Sequence, residues 1–107
     1  MKILVVGDIM LDSYICGTAE RMSQEAPVPI FLKDNANTPP SVLGGAGNVA
    51  MNLKELQVEV DLCGIIGNDL AGSIIARILR YNNIDDDYLY KDRIRKTTVK
   101  TRVLVNN

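Results

Sequence analysis

The sequence predicts an α/β fold built on a parallel sheet, and three observations predict it. A continuous apolar run, Ile3-Leu4-Val5-Val6, ends at Gly7-Asp8. Two segments carry helical spacing: Val49, Leu53 and Leu56, then Ile74, Ile75, Ile78 and Leu79. Between them VEVDLCGIIG (58–67) alternates at Val58, Val60 and Leu62 before an apolar stretch. The order strand–helix–strand–helix is that of parallel strands joined by right-handed crossovers.

Each element has a local reason. Four apolar residues without alternation at 3–6 fit a strand buried on both faces. The i, i+4, i+7 recurrence at Val49, Leu53 and Leu56 marks one face of a helix. Gly67-Asn68-Asp69 supplies the start of the second helix, because Asn or Asp caps exposed N–H groups. Asn82-Asn83 supplies its stop. The acidic triplet Asp85-Asp86-Asp87 reads as a solvated loop after that helix.

Two segments break the alternation. Residues 13–43 form a long interruption containing Ala26-Pro27-Val28-Pro29-Ile30-Phe31. The prolines remove ladder donors, so a strand here belongs at an edge or a bulge. A connection of this length is characteristically functional or disordered. The tail alternates with period two, placing Val99, Thr101, Val103 and Val105 on one face. Thr98, Lys100, Arg102 and Leu104 take the other, which reads as a strand with a basic, partly polar face.

With 107 residues the chain predicts one domain. It is 47% hydrophobic and 23% charged, with a net charge of −1. That balance gives no electrostatic reason to expect nucleic acid or an anionic membrane as partner. The absence of histidine excludes an imidazole base and any His-ligated metal. Cys16 and Cys63 form neither a CxxC pair nor a metal cluster and read as buried, reduced thiols. The apolar run at the start is cut at Asp8, too soon for a signal peptide or membrane span, so a cytoplasmic protein is expected.

The stretch SVLGGAGNVAMNLKEL (41–56) carries the chemistry. A P-loop needs lysine and Ser or Thr after the glycines, and Asn48-Val49 stands there instead. Gly45-x-Gly47-x-x-Ala50 formally matches a dinucleotide fingerprint, which would make the chain a non-catalytic nucleotide-binding α/β module. Yet Pro39-Pro40 precedes the turn where a central strand should lead into it. A polyol site is the third reading. Bare N–H groups at a helix start donate to hydroxyls, and absent Cβ atoms let a ring approach. Asn48 adds an amide with donor and acceptor capacity. Asp8 and Asp12 follow the first strand, at the end where open α/β sheets bind ligands. A structural alternative is also open: Asp12 caps a turn and the glycines only permit tight packing.

Gly7-Asp8-x-x-Leu11-Asp12 together with Gly44-Gly45-Ala46-Gly47-Asn48-Val49-Ala50 resembles the N-terminal part of the ribokinase (PfkB) family of carbohydrate kinases. Within it, Ser23-Gln24-Glu25-Ala26-Pro27-Val28-Pro29 and GGAGNVAMNL look most like the heptose 7-phosphate kinases of ADP-heptose synthesis, and TTVKTRVLVNN is similar to their lid strand. The resemblance spans essentially the whole chain. It implies a ribokinase-like parallel-sheet core at about 1–12 and 41–96, with lid strands at about 13–40 and 97–107. It also implies that Asp12 holds sugar hydroxyls while Gly44, Gly45 and Asn48 line the sugar pocket. Asp8 joins this candidate set. Lys100 and Arg102 are candidates for the phosphate already on the substrate.

The same resemblance implies ATP and Mg²⁺ for the complete enzyme, phosphorylation of D-glycero-D-manno-heptose 7-phosphate at O1, and a homodimer through the lid strands. Another PfkB sugar or nucleoside kinase is the alternative specificity. The family's catalytic aspartate lies in a Gly-Ala-Gly-Asp segment, whereas Gly45-Ala46-Gly47 is followed here by Asn48. The expectation is therefore that base and ATP site lie beyond Asn107, and that these residues alone bind sugar weakly and transfer no phosphoryl group.

Overall fold

The computed structural model describes residues 1–106; position 107, the last of the expected lid segment, lies outside the described residues. Nine elements follow in order: β1 Lys2–Val6, β2 Ile9–Met22, β3 Pro29–Lys33, β4 Val42–Gly45, α1 Ala46–Glu55, β5 Glu59–Gly67, α2 Leu70–Tyr81, β6 Leu89–Asp92 and β7 Thr98–Asn106. They divide between two compact units. One comprises residues 1–12 and 42–100, the other residues 13–41 and the chain from 101 on.

The first unit holds a parallel sheet in the order β1-β5-β6, with Val6 opposite Cys63 and Ile65 opposite Tyr90. Both helices pack on β5, and α1 also touches β1 and β4. Their core joins Val60, Leu62 and Ile66 of the sheet to Ala50, Ile75 and Leu79 of the helices, with Ile9, Leu11, Leu43 and Ile84 completing it. The strand β6 is a departure from the sequence expectation. It is only four residues long, and Leu89-Tyr90-Lys91-Asp92 carries no apolar run to announce it.

Burial corrects three expectations. The first strand is covered on one side only: Leu4 and Val6 are 57% and 68% exposed, because both helices pack on the face bearing Val60 and Leu62. Of the predicted face of α1, Leu53 packs against the core as a partly buried residue, whereas Val49 and Leu56 are exposed; Gly47 and Ala50 are the helix's buried residues. Small residues win that face because the helix lies close to β4: a Cβ on Gly47 would stand 3.0 Å from that of Leu43. Cys16 is buried as expected, but Cys63 is only half-buried on the open sheet face, and both thiols are free.

Both helices end in the same motif. In α1, Gln57 takes φ 63°, its N–H donates to the Lys54 carbonyl, and the Val58 N–H donates to Leu53. In α2, Asn83 takes φ 57°, and the N–H groups of Asn83 and Ile84 donate to Arg80 and Leu79. This closes the last turn and satisfies carbonyls that a helix end otherwise leaves bare. Asn82-Asn83 is thus the stop that the sequence predicts. The start of α2 is Asp69, whose Oδ1 accepts the Gly72 N–H at 2.8 Å.

The second unit is a thin antiparallel arrangement. β2 pairs with β3 from Gly17–Lys33 to Met22–Pro29, with a shift of register between Thr18 and Arg21. Strand β3 lies at the end of the order β3-β2-β4, and Pro29 opens it, as proline in a strand requires. The tail strand β7 has a partner in β2, but every residue from Thr98 to Asn106 is exposed, so neither of its faces is a core face.

Candidate functional site

The site is built where β1 hands over to β2 and β4 hands over to α1. The Gly7 N–H continues the ladder to the Cys63 carbonyl at 3.2 Å, and the Asp8 carbonyl accepts the Ala46 N–H at 2.7 Å. This second bond ties the end of β1 to the first turn of α1. Strand β2 then runs antiparallel to β4, pairing Ile9 with Gly45, Met10 with Gly44, Leu11 with Leu43 and Asp12 with Val42.

Alternation decides which side chains reach the site. Ile9 and Leu11 point into the core, so Met10 and Asp12 take the opposite face of β2. Gly44 makes room for the Asp12 carboxylate: a Cβ there would stand 2.7 Å from Asp12 Oδ1 and 2.8 Å from Met10 Cγ. Asp12 Oδ1 is buried and accepts no hydrogen bond among the described residues. The Lys100 ammonium faces it at 3.7 Å. A buried carboxylate oxygen without a donor costs free energy, so its retention calls for an explanation.

Asp12 follows β1 as the sequence places it, but the alternative in which it caps a turn differs from what is found. It lies inside strand β2. The glycine turn differs too: Gly44 and Gly45 belong to β4, and only from Ala46 does the chain become helical. Gly45 caps α1 with φ 59° and ψ −135° and no side-chain bond. Since the strand entering this turn is four residues long and antiparallel to its neighbour, the dinucleotide reading loses the parallel strand that its geometry needs.

Asp12, Gly44 and Lys100 come together. Gly45 and Asp8 join them through the backbone, while the Asp8 side chain is exposed and lines a separate cavity of about 350 Å³ with Gly7, Cys63, Tyr88 and Arg95. Asn48 is exposed in the first turn of α1. Arg102 is exposed two residues beyond Lys100 and falls in the second unit.

A network that sequence reasoning read only as a helix cap stands at the end of β5. The buried Thr97 hydroxyl accepts the Gly67 N–H at 2.8 Å and donates to Asp69 Oδ1 at 2.6 Å. The Thr97 N–H donates to Asp69 Oδ2 at 2.9 Å. The Thr97 hydroxyl, then the N–H groups of Thr97 and Gly72, hold the Asp69 carboxyl below its ordinary pKa. The spacing Gly67-x-Asp69-x-x-Gly72 was the available signal. Thr97, twenty-eight residues on, had none.

The family model for pfkB family carbohydrate kinases matches residues 2–107. The chain belongs to the pfkB family of carbohydrate kinases. It is 47% identical to the bifunctional protein HldE of Helicobacter pylori (strain P12) over 99% of its length, and 47% identical to that of Helicobacter hepaticus (strain ATCC 51449 / 3B1). The pfkB chain spans about a fifth of these relatives, 22% and 21% of their lengths. Among solved structures it matches a carbohydrate kinase from Agrobacterium tumefaciens with a TM-score of 0.71 and 26% identity, over 97% of this chain and 31% of that one. A fructokinase from Xylella fastidiosa with bound ATP shares the fold at 19% identity and a TM-score of 0.65, over 95% of this chain and 29% of that one.

A carbohydrate kinase draws its phosphoryl group from ATP with Mg²⁺, and the cluster of carboxylates that could hold a metal among the described residues lies away from Asp12. The acidic trio Asp85, Asp86 and Asp87 stands beside Asp61 near the start of β5, at the opposite end of the strands from Gly7 and Gly67. Among the described residues no helix is long and apolar enough to cross a membrane.

Proposed function

We propose that these residues form the sugar-binding part of an ATP-dependent kinase that phosphorylates D-glycero-D-manno-heptose 7-phosphate at O1 in ADP-heptose synthesis. The observation that carries the polyol reading is Asp12 Oδ1, buried against the bare Gly44 and without a hydrogen bond among the described residues, with the Lys100 ammonium 3.7 Å away. A sugar hydroxyl is a donor of the right size for it, and its second carboxylate oxygen can accept another. Gly45 and Asn48 place backbone and amide groups of the α1 start on the same sugar. The heptose assignment is supported by the resemblance of residues 23–29 and 44–53 and by the 47% identity with HldE.

Titration with heptose 7-phosphate, followed by amide NMR shifts, tests this. Millimolar binding is expected, since four or so neutral hydrogen bonds at roughly 1 kcal/mol each reach only about −4 kcal/mol. Asp12→Ala is expected to weaken it by roughly tenfold or more, the worth of a hydrogen bond to a charged group. Unchanged affinity in a folded variant would sink the reading. A ketose or nucleoside bound in preference to the heptose would keep the kinase class and change its substrate.

The reading carries with it a cytoplasmic enzyme that dimerises through its lid strands. Val103, Leu104 and Val105 of β7, at 56%, 44% and 49% exposure, supply apolar area for such an interface. Light scattering is expected to give the mass of a dimer; a monomer mass at high concentration would count against it.

A further inference from the structure

We propose that Lys100 is a specificity-determining residue that exchanges partners: it faces the Asp12 carboxylate in the free protein and passes to the substrate's own phosphate when a sugar hydroxyl takes over Asp12. The inference rests on the sugar-binding reading above and goes beyond it by committing to one cation and to its switch.

Three observations carry it. The separation of 3.7 Å between Lys100 Nζ and Asp12 Oδ1 exceeds the length of an N–H···O hydrogen bond, so the pair is held by charge alone. Neither group is satisfied to its capacity: the ammonium has three donors, and Oδ1 accepts no hydrogen bond among the described residues. The Lys100 side chain is also 49% exposed, against 19% for Asp12, so it can swing without breaking a packed core. A half-solvated ion pair of this kind is worth little, which makes the exchange cheap.

The chemistry then separates two ligand classes. A phosphorylated sugar brings a hydroxyl to Asp12 and an anion to Lys100, so both groups end better satisfied than before. A neutral sugar offers a donor to Asp12 and gives the displaced ammonium nothing except water. Lysine suits the task, being a compact charge on a flexible four-carbon stem. Arg102 shares the strand face by alternation but has no counterpart to the Asp12 pairing among the described ion pairs.

The test compares heptose 7-phosphate with the unphosphorylated heptose on the wild-type chain, Lys100→Met, Lys100→Arg and Asp12→Ala. Lys100→Met is expected to weaken the phosphorylated sugar roughly tenfold or more, because it removes a charge-assisted hydrogen bond to the phosphate. The neutral sugar should bind this variant as before or slightly tighter. Lys100→Arg should restore part of the preference. An equal loss for both sugars, or none for either, overturns the exchange. The sugar site itself still stands in that case if Asp12→Ala weakens both. If Asp12→Ala weakens neither, or the wild-type chain binds neither sugar at any soluble concentration, the sugar reading fails and the exchange falls with it.

Discussion

Thr97→Val is expected to lower the unfolding free energy by about 2–4 kcal/mol, a large share of what a small domain possesses. The change keeps shape and volume and removes one hydroxyl. That hydroxyl accepts from the Gly67 N–H and donates to the Asp69 carboxylate, and Thr97 is buried. Valine would leave the Gly67 donor stranded away from water and would remove a bond to a charged group, each of which costs on the order of 1–3 kcal/mol. Urea denaturation of both proteins measures the difference; a loss under about 0.5 kcal/mol, ordinary for a surface change, would refute the account.

The same network sets a pH dependence whose sign is fixed. Thr97 and Gly72 hold the folded Asp69 carboxyl below its ordinary 3.8, so the folded state favours the ionised form. Its contribution is fully present above the unfolded pKa and is lost as pH falls through the folded one. The wild-type protein therefore loses stability below pH 3.8 through this group, and Thr97→Val flattens that part of the profile because it removes the principal cause of the shift.

Gly45→Ala is expected to cost more than about 3 kcal/mol, and to take sugar binding with it. The residue holds φ 59° and ψ −135°, a backbone state that strains an L side chain by roughly 1–3 kcal/mol. A Cβ there would also run into the Asp8 carbonyl oxygen, the acceptor of the Ala46 N–H bond. Because the obstacle is backbone, no rotamer change relieves it. Either the bond that anchors α1 breaks or the Ile9–Gly45 pairing shifts. Chemical denaturation together with the heptose 7-phosphate titration reads both effects. A variant of wild-type stability that binds normally would show that the turn has slack.

Much of the fold was legible because it is local. The apolar run at 3–6, the alternation at 58–62 and the Asp69 and Asn82-Asn83 signals each name their element within a few residues. β6 escaped, since Leu89–Asp92 forms a strand only because β5 offers it an edge to pair with. The buried face of α1 differs from its apolar pattern for a related reason. Hydrophobicity points to Val49 and Leu56, but the helix lies so near Leu43 that Gly47 and Ala50 are what fit. In the candidate site, the residue types Asp12, Gly44 and Lys100 stood out one by one. Their place at one sugar came with the family resemblance; the pairing of Asp12 with Lys100 and the orphaned state of one carboxylate oxygen did not.

The sequence alone determined β1, β5, β7, both helices, the ends of α2 and the membership of the pfkB family, because periodicity, capping and motif spacing act over short stretches of chain. Tertiary structure alone decided that Asp12 lies in a strand beneath a bare Gly44 and opposite Lys100, and that Thr97 reaches back to Asp69. Those pairs are 32, 88 and 28 residues apart along the chain. Separations of that size leave no local imprint, so only the pairing of β2 with β4 and the path of the chain after β6 bring the charges and hydrogen-bond partners within reach.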